Sequence, residues 1–407
     1  MPGYFQRKPQ MLDWLYSTQM FGVKLGLEGI KHLLEACGVS RPRAQVIHVA
    51  GTNGKGSTCA FIESIARAAG YKTGLFTSPH LVEFSERIRV NGQNIPDADV
   101  ERLIGKLRGI VEGWETMPTF FELTLALAML HFAEQGVELI VLETGMGGRL
   151  DATNAVPKDV AVLTPIGLDH TQYLGSTLYE IAGEKAAIFS WHRPALTAPQ
   201  EPEAMRAIEE AAQACDVHYH IIAEEYDGPL GLVGRHQRRN AALAMAALRA
   251  LPHFLCSAEE EARGLAETRW PGRFEEILPG VIMDGAHNPH AMRVLVDCWR
   301  EKYGSGQRAH CIFAGSADKA LPEVLALLSP IVETWILPPV QSPRILPREQ
   351  LCKLVREVTG SACIHTPATL DEALQHMPPH TLICGSFFLL GEAKACLRHT
   401  SYHATGQ

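Results

Sequence analysis

The stretch that most constrains this chain is Gly51-Thr-Asn-Gly-Lys-Gly-Ser57. A short apolar run, residues 46–50, reads as a buried strand and stops at Gly51. A helical pattern begins by Gly56. Strand, glycine-rich turn and helix in this order commit the chain to an α/β layout. Glycines let backbone N–H groups crowd an anion, a helix N-terminus adds positive potential, and a lysine supplies a mobile charge. The generic phosphate-loop pattern G-x-x-x-x-G-K-[ST] is not met. Val49 stands six residues before Lys55, and Gly56 separates Lys55 from Ser57. A βα turn without a ligand is the plainer reading. The lysine inside the turn and Ser57-Thr58 after it favour nucleotide phosphate.

At 407 residues the chain has room for two domains with separate cores. A net charge of −8 gives no global signal for nucleic acid, so any phosphate must be held by local charge. The ten cysteines contain no CxxC pair and none lies at zinc-ligand spacing, which suits reduced, mostly buried thiols in a cytoplasmic protein. Residues 1–10 carry no apolar signal core. The longest apolar run, 120–133, is too short to span a membrane and contains Glu122 and His131.

Residues 10–38 read as helix, loop, helix, with two glycines in the loop Phe21-Gly-Val-Lys-Leu-Gly-Leu-Glu28. That loop suits a connector, or a backbone that approaches a ligand. The strand 72–77 ends in Ser78-Pro-His-Leu81, and ligands of open parallel sheets gather beyond such strand ends. Residues 120–133 form a helix that is apolar all round, with Glu122 as partner of its N-terminal dipole. The next strand ends in Leu142-Glu-Thr-Gly-Met-Gly-Gly-Arg-Leu-Asp-Ala-Thr-Asn154, so Glu143 stands where a magnesium partner is expected. A further strand, 159–165, delivers Asp169 and His170 to the same edge. On residue pattern alone, Lys185 in the helix 176–189 is a solvated lysine paired with a neighbouring glutamate. Helices follow at 237–250 and 257–267, the first preceded by the basic cluster Gly234-Arg-His-Gln-Arg-Arg-Asn240. Trp270-Pro-Gly-Arg-Phe274 breaks the chain near a domain boundary. A second βα rhythm then runs from 281 to 384, opening with Asp284-Gly-Ala-His-Asn-Pro-His290. The expectation is an α/β protein. A phosphate-loop ATPase-like domain over 1–276 precedes a smaller Rossmann-like α/β domain over 277–407.

Four of these stretches in this order resemble the folylpolyglutamate synthase/dihydrofolate synthase branch of the Mur ligase superfamily: 49–57, 142–154, Gly167-Leu-Asp-His-Thr171 and 284–289. The resemblance spans about residues 12–392. It implies ATP-dependent ligation of L-glutamate to 7,8-dihydropteroate and to the γ-carboxylate of reduced folates. It assigns Thr52, Asn53, Gly54 and Lys55, with Gly56 and Ser57, to the ATP phosphates. Asn240, Arg273 and Asp284, with His287 as a further candidate, complete ATP binding across a cleft. It assigns Mg2+ to Ser78, Glu143 and His170, and it implies that Lys185 is carbamylated, which reverses the reading from pattern alone. Lys55, Glu143, His170 and Lys185 then carry the chemistry. The segments Val23, Lys24, Leu25 and Gly26, then Thr119, Phe120, Phe121 and Glu122, then Asp151 with Ala152, match pteroate-binding segments. Ala320 departs from the pattern, since relatives usually carry an acid there.

The implied chemistry activates a carboxylate as an acyl phosphate, which the amine of glutamate then attacks. The implied partners are small molecules, with no nucleic acid and no membrane, acting on a cytoplasmic monomer. A folylpolyglutamate synthase lacking the pteroate activity, a UDP-muramoyl amino acid ligase and a phosphate-loop switch without ligase chemistry are the rivals. The muramoyl ligases carry a UDP-binding domain ahead of the loop, for which the 50 residues before Gly51 leave no room.

Overall fold

The computed structural model describes residues 10–21, 26–360, 363–375, 377–400 and 402. Two sheets organise it. The first holds β1 (Gln45–Ala50), β2 (Thr73–Phe76), β3 (Ile88–Val90), β4 (Gln93–Asn94), β5 (Leu139–Glu143), β6 (Val160–Leu163), β7 (Ala195–Thr197) and β8 (Tyr219–Ile221). Their order across the sheet is β4-β3-β2-β5-β1-β6-β7-β8. All pairings are parallel except those made by β3, which closes one edge with β4 as an antiparallel hairpin. The central β1 is flanked by β5 and β6, with Val49 beside Glu143 and Ala50 beside Leu163. Three strand ends therefore open on one crevice at the same level.

Local sequence explains the elements that frame this crevice. β1, β5 and β6 are buried along almost their whole length, as parallel strands covered on both faces must be. The helix Phe120–Gln135 is apolar on every side and packs inside one core with the helices Glu28–Ala36 and Asp97–Val111. Its start is fixed by a capping box between Thr119 and Glu122, which bears out the dipole reading of Glu122. On the opposite face the helix Lys55–Ala68 packs against Arg235–Arg249 and Ala258–Glu267. Gly264 lets two of these backbones meet, since a Cβ there would fall 2.5 Å from Ile65 Cα.

The second sheet holds β9 (Glu275–Leu278), β10 (Val281–Asp284), β11 (Ala309–Phe313), β12 (Val332–Ile336), β13 (Ile364–His365) and β14 (Thr381–Cys384), in the order β13-β12-β11-β14-β10-β9. It is parallel but for β9. The expected rhythm holds, with four differences. β9 joins this sheet, so the second unit begins at 275, ahead of the boundary expected after 276. The hairpin of β3 and β4 and the helix Phe387–Arg398 were not foreseen. The helix expected over 176–189 is shorter, Leu178–Ala186, opened by a capping box of Thr177 and Glu180, and a separate short helix, Thr171–Leu174, precedes it. Among the described residues no helix is long and apolar enough to cross a membrane.

Candidate active site

A cleft of about 560 Å³ lies between the two sheets, lined by the 51–57 loop, the ends of β2, β5 and β6, and the 284–291 segment across from them. Gly54 caps the helix Lys55–Ala68 with φ of 87°, a conformation glycine adopts without strain. The first N–H groups of that helix have no partner within it, and its first turn lines the cleft, as an anion site requires. Lys55 folds over the loop, its Nζ donating to the Gly51 carbonyl at 3.2 Å and that of Thr52 at 3.4 Å. Thr52 is tied to the end of β6: its Oγ1 donates to Gly167 O and accepts from Gly167 N, both at 3.0 Å. The Thr52 and Asn53 N–H groups both donate to Pro165 O. Gly56, which broke the generic pattern, has a packing reason: a Cβ there would lie 2.7 Å from Trp270 Nε1. Asn240 reaches the loop as expected, its Oδ1 2.8 Å from where a Gly54 Cβ would stand. Its Nδ2 donates to Gln237, which in turn donates to Ser57 Oγ.

Glu143 is buried at the end of β5 and accepts the Ser78 N–H at 3.3 Å. Burial pushes its carboxyl pKa up, opposed by the charges of Lys55 and Arg273. The Ser78 hydroxyl is buried without a hydrogen-bond partner among the described residues. His170 begins the helix Thr171–Leu174 with φ of 51°. Burial pushes its pKa down to about 4, so the imidazole is neutral at pH 7 and able to ligate. Among the described residues no group of three or more His, Cys, Asp or Glu gathers as a ready-made metal cage. One carboxylate, one neutral imidazole and an unsatisfied hydroxyl suit instead a hard divalent ion that takes its remaining oxygens from substrate phosphate and water. The residues present fit Mg2+ on that basis.

Lys185 corrects the reading from pattern alone. It is buried, not solvated, and lines the cleft. The adjacent Glu184 pairs with Arg149 at 2.8 Å instead. Burial first, and then the charge of Lys55, push the Lys185 pKa down to about 7. Its helix is seated on Gly148, where a Cβ would stand 2.6 Å from Glu184 O and 2.9 Å from Lys185 O. That contact accounts for the last glycine of the Gly-Met-Gly-Gly run.

The opposite wall comes from the second sheet. Arg273 lies over the Phe387 ring at 5.0 Å. Asp284, at the end of β10, accepts the N–H groups of Phe274 and Ala286, each at 2.8 Å; burial raises its pKa and Arg273 opposes the rise. His287 turns towards Asp169, with Nε2 3.6 Å from Oδ2. Asp169 also accepts from Asn288 Nδ2 at 3.1 Å and pairs with Lys319. Burial works against its charge, but His287 and Lys319 hold the carboxyl well below the usual range. Asn53 is claimed by the same wall, through His290 at 2.9 Å and Asn288 at 3.2 Å. Sequence reasoning missed Asn288, His290 and the pairing of Lys319. The one local signal was Asn288-Pro289, a helix N-cap followed by proline.

The described pteroate candidates, Gly26, Thr119 to Glu122, Asp151 and Ala152, are not among the residues lining the cleft. Phe121 and Asp151 meet at Gly145, where a Cβ would lie 2.8 Å from Phe121 Cζ and 3.2 Å from Asp151 Oδ2. Phe120 stacks on Tyr16 at 5.6 Å. The Glu122 carboxylate accepts from Thr119 N and Oγ1. Asp151 caps the turn Ala152–Ala155, accepting from Met146 N, Thr153 N and Thr153 Oγ1. Ala152 is buried. Gly26 is exposed with φ of 130°, while Val23, Lys24 and Leu25 lie outside the described residues.

Residues 49–219 match the Mur ligase middle domain, and residues 272–386 match the Mur ligase glutamate ligase domain. The chain is 36% identical to the dihydrofolate synthase/folylpolyglutamate synthase of Escherichia coli over 407 aligned positions, covering 92% of each. It is also 36% identical to the enzyme of that name from Bacillus subtilis, over 78% of this chain and 82% of the relative. Among solved structures it is similar to E. coli FolC in complex with DHPP and ADP, with a TM-score of 0.86 at 32% identity, covering 97% of this chain and 99% of the other. It is also similar to the bifunctional folylpolyglutamate synthase/dihydrofolate synthase of Yersinia pestis complexed with AMPPNP and Mn ion, with a TM-score of 0.84 at 29% identity, covering 97% and 100%.

Proposed function

The chain belongs to the dihydrofolate synthase/folylpolyglutamate synthase family of Mur-type ligases, and we propose that it joins L-glutamate both to 7,8-dihydropteroate and to the γ-carboxylate of reduced folates. The observation that carries this reading is the cleft itself. It sets Lys55, Ser78, Glu143, His170 and Lys185 on one wall and Arg273, Asp284 and His287 on the other. A carboxylate resists attack by an amine until it is phosphorylated. The loop amides and Lys55 hold the ATP phosphates and follow the negative charge as it moves to the leaving group. Asn240 holds the loop from behind. Ser78, Glu143 and His170 would hold Mg2+, which when bound neutralises phosphate oxygens. The substrate carboxylate oxygen takes the γ-phosphoryl group. The amine of glutamate then attacks the acyl carbon, phosphate leaves, the amine proton is released, and an amide remains. Gathering three reactants in one cleft can contribute about 7–11 kcal/mol of barrier reduction. The ties between Asp169, Asn53 and the second wall keep water from the acyl phosphate.

Carbamylation of Lys185 belongs to the same reading. A buried amine with a pKa near 7 is half neutral at pH 7 and so reactive towards CO2. The product is an anion, which relieves the repulsion from Lys55. The pteroate segments 23–26, 119–122 and 151–152 would present the acceptor, with Phe121 as its aromatic contact. The decisive experiment incubates the protein with ATP, Mg2+ and glutamate, plus either dihydropteroate or tetrahydrofolate, and reads product masses and ADP. Products heavier by one glutamyl residue with both acceptors are expected. ADP release that ignores acceptor and glutamate would sink the ligase reading.

A further inference from the structure

A side pocket of about 40 Å³ opens beside the main cleft, with Gly56, Ser78, Glu143, Arg273 and Phe387 lining both. It therefore adjoins the place where the acceptor carboxylate is phosphorylated. Arg89, on β3, one strand in from the edge of the first sheet, also lines it. The Arg89 Cζ lies 4.9 Å from the centre of the Trp270 ring, the same indole that packs on Gly56. Its Nε is buried without a partner, and among the described residues its guanidinium makes no hydrogen bond or ion pair. The acids whose fields reach it are engaged elsewhere. Glu86 accepts the N–H groups of Leu81, Val82 and Glu83, and Glu63 accepts from Arg67 and Thr73. Burial accordingly lowers the Arg89 pKa from its ordinary value.

A guanidinium is a planar fork that matches a carboxylate, and this one, half-buried with only its Nε shut off from solvent, keeps its two Nη groups free for an anion. A pocket of about 40 Å³ beside a cleft of about 560 Å³ suits a small polar group such as a carboxylate. The two acceptors differ by such a group. Dihydropteroate has a single carboxyl, the one that reacts. A folate carries its reacting γ-carboxyl and, four bonds away on the same residue, a free α-carboxylate. Those two carboxyl carbons are separated by roughly 4–5 Å at ordinary bond lengths. A pocket that shares Ser78 and Glu143 with the phosphorylation site is the neighbouring space such a second carboxylate would enter.

We propose that Arg89 binds the α-carboxylate of the terminal glutamate of a folate acceptor and thereby sets the preference between extending folates and ligating pteroate. The proposal rests on the dual-acceptor reading above. The test compares Arg89→Gln and Arg89→Lys with the wild type in kcat/KM for tetrahydrofolate and for 7,8-dihydropteroate, at saturating ATP and glutamate. The folate-to-pteroate ratio should fall by about tenfold or more in Arg89→Gln, the scale of a lost charge-assisted hydrogen bond, and by less in Arg89→Lys. A tetrahydrofolate with its α-carboxylate converted to the carboxamide should lose the same factor with the wild type and nothing further with Arg89→Gln. An unchanged ratio overturns the proposal. So does an equal loss with both acceptors together with a raised KM for glutamate, which would give the pocket to the incoming amino acid. Should Arg89→Gln fail to fold, the wild type decides: equal use of acid and carboxamide overturns the proposal. A wild type that ligates pteroate but never extends tetrahydrofolate defeats the dual-acceptor reading itself, a result the wild-type assay shows before any variant is made.

Discussion

Gly148→Ala tests whether the seat of Lys185 matters to the chemistry, through a residue with no chemistry of its own. The added methyl would stand 2.6 Å from Glu184 O and 2.9 Å from Lys185 O, both backbone atoms of the helix Leu178–Ala186. Carbon–oxygen contacts settle at 3.0–3.4 Å at the tight end, so the helix has to retreat by roughly 0.4–0.8 Å. Overpacking of this kind costs about 1–3 kcal/mol. A misplacement of 1 Å in a catalytic constellation can cost about a hundredfold, so a shift of this size should lower kcat by roughly 6- to 40-fold. The control is Gly183→Ala on the same helix, where a Cβ meets nothing within 4 Å. It should hold or raise the melting temperature, since alanine is the better helix former by about 0.5–1 kcal/mol. Steady-state turnover and thermal unfolding of both variants, measured side by side, give the answer. A Gly148→Ala protein with wild-type kcat would refute the claim that Lys185 works from a fixed position.

Three further outcomes follow from the site. Glu143→Gln keeps shape and removes the buried carboxylate, so turnover should fall by at least about a hundredfold with the fold retained by circular dichroism, and normal Mg2+-dependent turnover would remove the metal assignment. Unmodified Lys185 binds its proton less tightly folded (pKa about 7) than unfolded (10.5), so it contributes stability that grows as pH rises from about 7 towards 10.5. Lys185→Met should flatten that part of the stability–pH profile measured under CO2-free gas, and an unchanged slope would contradict the burial argument. Lys319→Met removes the cation facing Asp169 across the cleft while Asn288 and His287 remain, so closure should loosen without being lost. More ADP should then be released per amide formed, because water reaches the acyl phosphate, and a ratio that stays at one would show that the pair does not guard the cleft.

What the sequence made legible was chemistry held in continuous stretches. The 51–57 loop, the Glu143 strand end and the 284–290 turn could each be recognised because strand, turn and helix follow one another along the chain. The ties that close the cleft could not be read this way. Lys319 meets Asp169 across 150 residues, and His290 meets Asn53 across 237. Lys185 is a different kind of miss, since its signal was present. Ile181, Ala182, Lys185 and Ala186 share one helical stripe and all are buried, so the spacing already placed the lysine inward. β9 escaped because Glu275 and Glu276 lead it, and its alternation of half-buried and exposed residues is that of an edge strand. The helix Phe387–Arg398 had its own start signal in Ser386, whose Oγ accepts the Leu389 N–H.

Asn53 belongs to the loop that would hold phosphate, yet its side chain is bonded to Asn288 and His290 of the other half. Two equilibria, occupancy of the loop and approach of the halves, therefore share one residue. Linkage makes their influence mutual: whatever free energy nucleotide adds to closure, closure returns to nucleotide affinity. A covalent tether that locked the halves together should thus retain nucleotide tightly and turn over slowly. The same contacts that assemble the reactants set how fast the spent nucleotide escapes.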